Sequence, residues 1–153
     1  MTKFKFKLET VLKVKIRVEE LRQKELKEAE IRREQARKQL LQRQAEVAQA
    51  MDSYREEIKQ RIDVRQAVNY NRFLQWLNKQ VDLAAAHLEQ CVRLVNEARQ
   101  RLIEAAKERQ ILEKLKEKAY EEYKLEEQRL DNKFLDELGT GGFIRQSGGQ
   151  GGL

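Results

Sequence analysis

The sequence predicts an all-α protein: a long two-helix antiparallel coiled-coil hairpin followed by a flexible, glycine-rich C-terminal tail. The first observation behind this prediction is the distribution of helix breakers. The 153 residues include no proline, and all seven glycines lie between Gly139 and Gly152. The second is the composition, with 38% charged and 40% hydrophobic residues, which is typical of long helices. Sandwiches, barrels and doubly wound sheets are disfavoured, because their many tight turns draw on glycine and proline.

The third observation is a heptad repeat that begins at Tyr70. Apolar residues recur from there at alternating steps of three and four, which is the spacing of a coiled-coil seam. The apolar and tyrosine members are Tyr70, Leu74, Leu77, Val81, Ala84, Leu88, Cys91, Val95, Ala98, Leu102, Ala105, Leu112, Ala119, Tyr123 and Leu130. The charged members are Arg109, Lys116, Glu126 and Lys133. All four lie in the distal half of the seam, so looser helix pairing is expected there.

The first arm of the hairpin begins near Leu8 and carries a weaker repeat. An upstream apolar cluster comprises Leu8, Val11, Leu12, Val14, Val18 and Leu21, and a downstream lattice comprises Leu26, Ala29, Ala36, Leu40, Val47, Ala50 and Tyr54. Oppositely charged residues four apart, such as Glu9 and Lys13, each add about 0.2–0.5 kcal/mol to helix stability. The conformation of residues 1–7 stays open, because Phe4 and Phe6 alternate with lysines at period two, as in a strand.

The bend is expected between Ile62 and Asn71, where the repeat of the first arm is lost. Folding back would bury the apolar stripes of both arms within one chain, so a monomeric hairpin is expected. Asp63, Asn69 and Asn71 are the candidate N-caps of the second helix. The predicted bounds are a single domain at residues 1–138, with arm one at about 8–62, the bend at 62–71 and arm two at about 71–138.

The tail is predicted to begin at Gly139, where a glycine after Leu138 would end the second helix. Residues 139–153 are accordingly expected to be disordered. Their glycine pairs do not match a phosphate-binding loop. The Walker pattern needs a Lys-Ser/Thr ending and a preceding strand, and both are missing.

No catalytic, cofactor-binding or metal-binding site is predicted. His87 and Cys91 share one helix face, but their neighbours on that face, such as Leu83 and Leu94, cannot ligate a metal. Structural zinc needs about four ligands. Cys91 is therefore interpreted as a small buried seam residue and His87 as its solvated neighbour. The many carboxylates would line a convex, solvated surface without a cleft, so no enzyme is expected.

The net charge of +6 originates in the first arm, since the excess of Lys and Arg lies within residues 1–66. Such an excess favours acidic partners, although acidic residues are interleaved with the basic ones. A nucleic-acid binder with salt-dependent affinity is one alternative, but no acid-free basic block supports it. No apolar run approaches the roughly 18 residues of a membrane span. The lone cysteine is typical of a reducing compartment, so the expected location is cytoplasmic.

Aromatic residues gather beside the expected bend. Tyr70, Phe73 and Trp76 lie on the second arm, and Tyr54 faces them from the first. Phe73 and Trp76 cannot both join a two-helix seam, so apolar surface should remain exposed there. Either the aromatics cap the end of the hairpin as a small local core, or they form a partner-binding patch.

Three segments resemble the flagellar FliJ family. The first is the opening run Phe4-Lys5-Phe6-Lys7-Leu8-Glu9-Thr10-Val11-Leu12-Lys13, with Glu19-Glu20 soon after. The second is Tyr54-Arg55 together with Asn69-Tyr70-Asn71-Arg72-Phe73-Leu74-Gln75-Trp76-Leu77. The third is the run 112–118 with Tyr123, Glu126-Glu127, Arg129 and Leu135-Asp136-Glu137-Leu138. The resemblance covers nearly all of residues 4–138, and the F-x-F-x-L-x-x-V-L opening together with the aromatic bend is its most specific part.

The resemblance implies a cytoplasmic, non-enzymatic stalk of the flagellar type III export apparatus, similar to the central stalk of rotary ATPases. The implied partners are the hexameric export ATPase, the export-gate membrane protein and substrate chaperones, with peripheral association at the inner membrane and no cofactor. The ATPase ring would be contacted by Leu8, Val11, Leu12, Tyr123, Leu130 and Leu138. The export gate would be contacted by Val47, Tyr54, Phe73 and Leu77.

One further alternative remains open at this point. The chain could be a structural coiled-coil homodimer without an ATPase partner, a class that includes relatives from virulence-type secretion systems. A stable dimer with fully extended helices would contradict the hairpin.

Overall fold

The computed structural model describes residues 3–148, with side chains described as far as residue 142. Nearly all of these residues belong to two α-helices, α1 at Glu9–Lys59 and α2 at Val64–Gly148. No strand occurs between residues 3 and 148. The all-α, two-helix hairpin predicted from the sequence is therefore confirmed. Neither described helix contains an apolar stretch long enough to span a membrane.

α1 begins at Glu9, one residue after the expected start. The turn before it is closed by the Glu9 amide, which donates to the Phe6 carbonyl at 3.2 Å, and the Leu12 amide donates to the Leu8 carbonyl at 2.9 Å. Glu9 also brings a carboxylate to the first turn, where the helix dipole favours negative charge. Residues 3–6 form no regular secondary structure, so the period-two alternation of Phe4 and Phe6 does not make a strand.

Four residues, from Gln60 to Asp63, join the two helices. The Gln60 amide donates to the Glu57 carbonyl at 3.0 Å and closes the last turn of α1. Arg61 follows with a φ of 67°, the one positive φ among the described non-glycine residues. Arg61 thus occupies the left-handed position that ends many helices and that glycine usually fills.

Asp63 is the N-cap of α2. The Gln66 amide donates to Asp63 Oδ1 at 2.8 Å, and the Asp63 amide donates back to Gln66 Oε1 at 3.4 Å. These two hydrogen bonds form a capping box. Of the three N-cap candidates, Asp63 is correct, whereas Asn69 and Asn71 lie inside α2.

The bend predicted at residues 62–71 is therefore too long and begins too late. An apolar repeat reports packing, so its loss does not mark the end of a helix. The first turn of α2 is helical without being packed, since Val64 is 81% exposed. Capping by Asp63 sets the start of α2 independently of any seam contact.

The chain divides into two compact units. The bend unit consists of residues 17–106, and the described part of the terminal unit consists of residues 3–16 and 107–148. Each unit contains a piece of α1 packed antiparallel against a piece of α2.

The predicted seam forms the core of the bend unit. Its buried members are Ala36, Ala50, Leu77, Ala84, Cys91, Val95, Ala98 and Ala105. Most of these side chains are small, which allows the two helix axes to approach closely. The two arginines that interrupt the seam of α1, Arg33 and Arg43, are half-buried. The Arg43 guanidinium lies 3.1 Å from Glu46, so its charge is paired while its aliphatic stem packs on the seam.

The seam of the terminal unit is more polar. Leu12 is buried, at 4% exposure, whereas the seam positions Leu112, Lys116, Ala119 and Tyr123 of α2 are only half-buried. Two ion pairs join the helices here. Lys116 Nζ lies 2.8 Å from Glu9 Oε2, without the alignment of a hydrogen bond, and Lys15 Nζ donates to Glu108 Oε2 at 2.8 Å.

The last seam positions of α2, Glu126, Leu130 and Lys133, are exposed. Apolar pairing in the terminal unit therefore ends near Tyr123. This agrees with the looser pairing expected for the distal seam.

α2 continues to Gly148, so the helix end predicted at Gly139 is wrong. A stopping glycine would adopt the left-handed conformation, and no described glycine has a positive φ. A Cβ at Gly139, Gly141 or Gly142 would meet no other atom within 4 Å, so packing does not require glycine at these positions. Residues 149–153 of the predicted disordered tail, like residues 1 and 2 of the predicted domain, lie outside the described residues.

Replacing Arg61 by glycine should stabilise the protein. A left-handed backbone costs an L-residue about 1–2 kcal/mol, and glycine removes this strain while adding freedom to the unfolded chain. We expect the free energy of unfolding, measured by urea denaturation followed by circular dichroism, to rise by about 0.5–1 kcal/mol. Arg72→Gly, at an exposed position inside α2, is the matched control and should lower it by about 1 kcal/mol. A loss of stability in both variants would contradict the left-handed Arg61.

The variant Asp63→Ala should lower the free energy of unfolding by about 1 kcal/mol, because it removes the N-cap of α2. Asn69→Ala should leave the free energy unchanged or raise it slightly, since alanine is the better residue in a helix interior. Urea denaturation of the two variants measures the difference. A larger loss at Asn69 would move the start of α2 downstream.

Candidate partner-binding surfaces

Four aromatic residues lie close to the bend, and the structure divides them into two pairs. The rings of Tyr54 and Tyr70 face each other across the helices with centroids 5.1 Å apart, and both residues are half-buried. The rings of Phe73 and Trp76 stack along α2 at 6.3 Å and are 47% and 52% exposed. The tyrosine pair thus caps the seam, while the Phe73–Trp76 pair presents apolar surface. The capping interpretation therefore describes the tyrosine pair, whereas partner binding stays a prediction for Phe73 and Trp76.

Tyr70 is held in place by Glu57. The Tyr70 hydroxyl donates a hydrogen bond to the Glu57 carboxylate, and this bond, followed by burial and the negative charge, raises the pKa of Tyr70 above its usual value. The bond links the last turns of α1 to the start of α2. It therefore orients the Tyr70 ring, which forms one wall of the surface beside it.

That surface is an open groove of about 420 Å³. Its α2 wall is apolar, and its α1 wall carries carboxylate, amide and hydroxyl groups. The lining residues are Glu46, Gln49, Ala50, Ser53, Tyr70, Phe73, Trp76 and Leu77. A groove with one apolar and one polar wall is suited to an amphipathic partner.

The four residues predicted to contact the export gate occupy different depths. Phe73 is exposed and lines the groove beside Leu77, which is buried at 3% exposure. Tyr54 packs on the groove residue Tyr70, and Val47 is a half-buried seam residue of α1. Of the four, Phe73 alone combines a large apolar side chain with an exposed position.

The six residues predicted to contact the ATPase ring also divide. Leu12 is buried and Tyr123 is half-buried in the seam of the terminal unit. Leu8, Val11, Leu130 and Leu138 are exposed by 40% to 56%. The side chains of these four residues form exposed apolar surface on the terminal unit, outside the buried part of its seam.

The terminal unit contains one feature that the sequence did not predict, an N-terminal strap of residues 3–8. Its Phe4 ring lies 5.2 Å from the ring of Tyr120 and 5.4 Å from that of Tyr123. Lys124 Nζ lies 4.9 Å from the centre of the Tyr120 ring. The strap borders an open groove of about 570 Å³ lined by Phe4, Glu9, Leu12, Ile16, Glu113, Lys116, Glu117 and Tyr120. The alternation of Phe4 and Phe6 with lysines was the available signal, because one face of such a segment can pack while the other stays solvated.

His87 and Cys91 lie together, as their spacing predicts. Cys91 Sγ is 3.8 Å from His87 Nε2, and Cys91 is buried in the seam while His87 is exposed. Within the described residues, no three His, Cys, Asp or Glu side chains are grouped to hold a metal ion.

A comparison with models of protein families identifies one match. The model of the family described as Flagellar FliJ protein matches residues 4–148 and so covers segments of both units. A search of curated proteins and a search of solved structures find nothing that matches. Because the family match spans almost the whole chain, the chain belongs to the FliJ family, whose members act in flagellar protein export.

Proposed function

We propose that the protein is a non-enzymatic coiled-coil stalk of the flagellar type III export apparatus, which binds the hexameric export ATPase and the export-gate membrane protein and escorts substrate chaperones. The observation that carries this proposal is the family match over residues 4–148. The exposed apolar groups of each unit support it, because large exposed apolar side chains on a protein often mark interfaces.

The terminal unit is the part proposed to contact the ATPase ring. Its exposed apolar residues Leu8, Val11, Leu130 and Leu138 lie in the same unit as the exposed cations of the N-terminal strap, including Lys5 and Lys7. Such a surface suits an acidic and partly apolar ring lining. The stalk would contact the conformations of the ring unequally and so bias ATP turnover. All bond making and breaking would belong to the ATPase.

The bend unit is the part proposed to contact the export gate. Phe73 would supply the direct contact, and Leu77 would act from beneath by holding α2 against α1. Tyr54 and Val47 would support the groove from the other helix. Aromatic anchors at the edge of a pre-formed groove are common binding hot spots.

Escort of substrate chaperones rests on family membership alone. The protein is proposed to work as a monomeric hairpin at the cytoplasmic face of the inner membrane, held there by its partners. The monomer is supported by the seams, since in each unit α1 and α2 bury each other's apolar positions.

A structural homodimer is the second candidate. It is favoured by the segment of α2 from Leu130 to Leu138, where Leu130, Phe134, Leu135 and Leu138 are all more than half exposed. A second copy could cover this face. The mass of the purified protein in solution, measured by light scattering, separates the two candidates.

The purified protein should increase ATP hydrolysis by the cognate export ATPase through ring assembly. The double variant Leu130→Glu/Leu138→Glu should weaken this effect about tenfold, because it places charges in the proposed contact. Its helicity should be unchanged, since both residues are exposed. The measurement is ATP turnover as a function of the concentration of the added protein.

Leu125→Glu is the matched control for this variant. Leu125 is 66% exposed and points away from Leu130 and Leu138 around α2, so its replacement should leave the stimulation intact. If the wild-type protein changed neither ATP turnover nor ring assembly, the proposed ATPase contact would be wrong.

Phe73→Ala should weaken binding to the cytoplasmic part of the cognate export-gate protein by about tenfold or more. Its free energy of unfolding should change by less than about 0.5 kcal/mol, because Phe73 lies outside the seam. Leu77→Ala should instead cost about 2–4 kcal/mol of stability, since Leu77 is buried. Titration calorimetry and urea denaturation measure the two effects.

Val64→Ala, at an exposed position of the first turn of α2, should change neither quantity. Should Phe73→Ala reduce stability as strongly as Leu77→Ala, Phe73 would belong to the local core and the binding patch would lose its anchor.

A further inference from the structure

A second row of large, mostly apolar side chains runs along α2 in the bend unit, beside the seam. We call it the lateral stripe: Phe73, Trp76, Leu83, His87 and Leu94. All five side chains are exposed, by 47% at Phe73, 57% at Leu83 and 42% at Leu94. Their spacing in steps of three, four and seven keeps them on one side of the helix at a coiled-coil repeat. Gln80 and Gln90 occupy the positions between them.

A row of cations borders the outer edge of the lateral stripe. Positions 72, 79, 86 and 93 are seven residues apart, and each directly precedes a position of the stripe in the sequence. Arg72, Lys79 and Arg93 occupy three of these positions, and Ala86 occupies the fourth. The three cationic residues are exposed. A heptad-spaced row of one charge beside an apolar stripe is how coiled coils select a partner helix.

The inner edge of the lateral stripe is a polar wall on α1. Near the bend this wall consists of Glu46, Gln49 and Ser53, which border the groove at Phe73 and Trp76. At the other end of the stripe, Glu25, Glu28 and Arg32 border a groove of about 180 Å³ that Leu94 also lines. The two triplets occupy equivalent heptad positions of α1, so both grooves open on the same side of the bend unit.

We propose that the lateral stripe docks a third helix, an amphipathic helix of a partner protein with carboxylates along one edge of its apolar face. The apolar face would cover Phe73, Leu83 and Leu94, and the carboxylates would pair with Arg72, Lys79 and Arg93. Phe73 is shared with the proposed gate contact. Trp76 lines the same groove as Phe73, together with Glu46, Gln49 and Ser53 of α1. Leu83, His87, Leu94 and the row of cations have no part in the proposed function, and the docking of such a helix does not depend on it.

The charges argue for a partner helix over a second copy of this chain. A second copy would bring another row of cations, and two of the three carboxylates of its α1 wall are already engaged. Glu46 lies 3.1 Å from Arg43, and Glu25 lies 2.9 Å from Arg22. A helix with free carboxylates on one edge would instead neutralise the row, and each close charge pair would favour that orientation.

The sole tryptophan, Trp76, makes this proposal directly testable. The probe is a synthetic four-heptad amphipathic peptide with a leucine face and glutamates along one edge, compared with the same peptide carrying lysines there. The glutamate peptide should produce a saturable blue shift of Trp76 emission in the full chain. The lysine peptide should bind at least about tenfold more weakly. Equal affinity for the two peptides, or no saturable shift with either, would overturn the proposal.

Two sets of variants sharpen the test. The triple variant Arg72→Glu/Lys79→Glu/Arg93→Glu should reverse the preference and bind the lysine peptide more tightly. Leu83→Gln should weaken binding of the glutamate peptide about tenfold. Val92→Gln should leave it unchanged, because Val92 is also exposed but lies across α2 from Leu83.

Circular dichroism of each variant separates loss of the surface from loss of the fold. All replaced side chains are exposed, so the helicity should be retained. A blue shift that rises with protein concentration in the absence of peptide would identify a second copy as the occupant and would overturn the choice of a partner helix. None of these readouts involves the ATPase or the export gate, so they stand apart from a failure of the proposed function.

Discussion

The close approach of two helices along an alanine-rich seam is the interaction on which the bend unit depends. Burying an alanine removes little apolar area, and at about 25 cal/mol per Å² each such position contributes little stability. The seam must therefore be long to be stable. It is also narrow, because small side chains at Ala36, Ala84 and Ala98 bring the helices together. A narrow seam has no room for Phe73 or Trp76, and this is why large apolar side chains remain at the surface.

The terminal unit is built differently. Its seam contains Lys116 where the bend unit has alanine or valine, and ion pairs and the N-terminal strap link its helices. Partly exposed ion pairs contribute at most about 1 kcal/mol each, and the Phe4 ring contacts the rings of Tyr120 and Tyr123. Elements held by so few apolar contacts open at lower free energy than a packed core. The two units therefore combine a more tightly paired segment with one whose surface can adjust to a partner.

The seam, the helical class and the position of Cys91 could be predicted from the sequence, because a heptad repeat encodes packing directly. The bend could not be placed, since the start of α2 is set by the capping box of Asp63 and Gln66, a local signal that the end of the apolar repeat does not report. The left-handed Arg61 could not be foreseen either, because an arginine carries no signal for that conformation. The helix end predicted at Gly139 was wrong because the signal there was weaker than it looked. A glycine permits a left-handed C-cap but does not require one. At the candidate surfaces, the heptad repeat predicts the depth of Leu77 and Phe73, which lie inside and outside the seam. It could not report the contact of Phe4 with Tyr120, because the N-terminal strap lies outside the repeat.

The burial of each side chain on α2 follows from its position in the heptad, so one helix can carry a core and a binding surface side by side. Leu77 and Trp76 are neighbours in sequence, yet one is buried in the seam and the other is half exposed on the lateral stripe. Arg72 and Phe73 are likewise neighbours, one in the row of cations and one in the stripe. Because core, stripe and cation row share one period, they stay parallel along α2 from Arg72 to Leu94. An insertion or deletion of one residue in this segment would turn the part of α2 after it relative to the part before it. All three rows would be interrupted at the same point, so stability and the proposed binding surface would be lost together. Substitutions, by contrast, can change one row and leave the others intact.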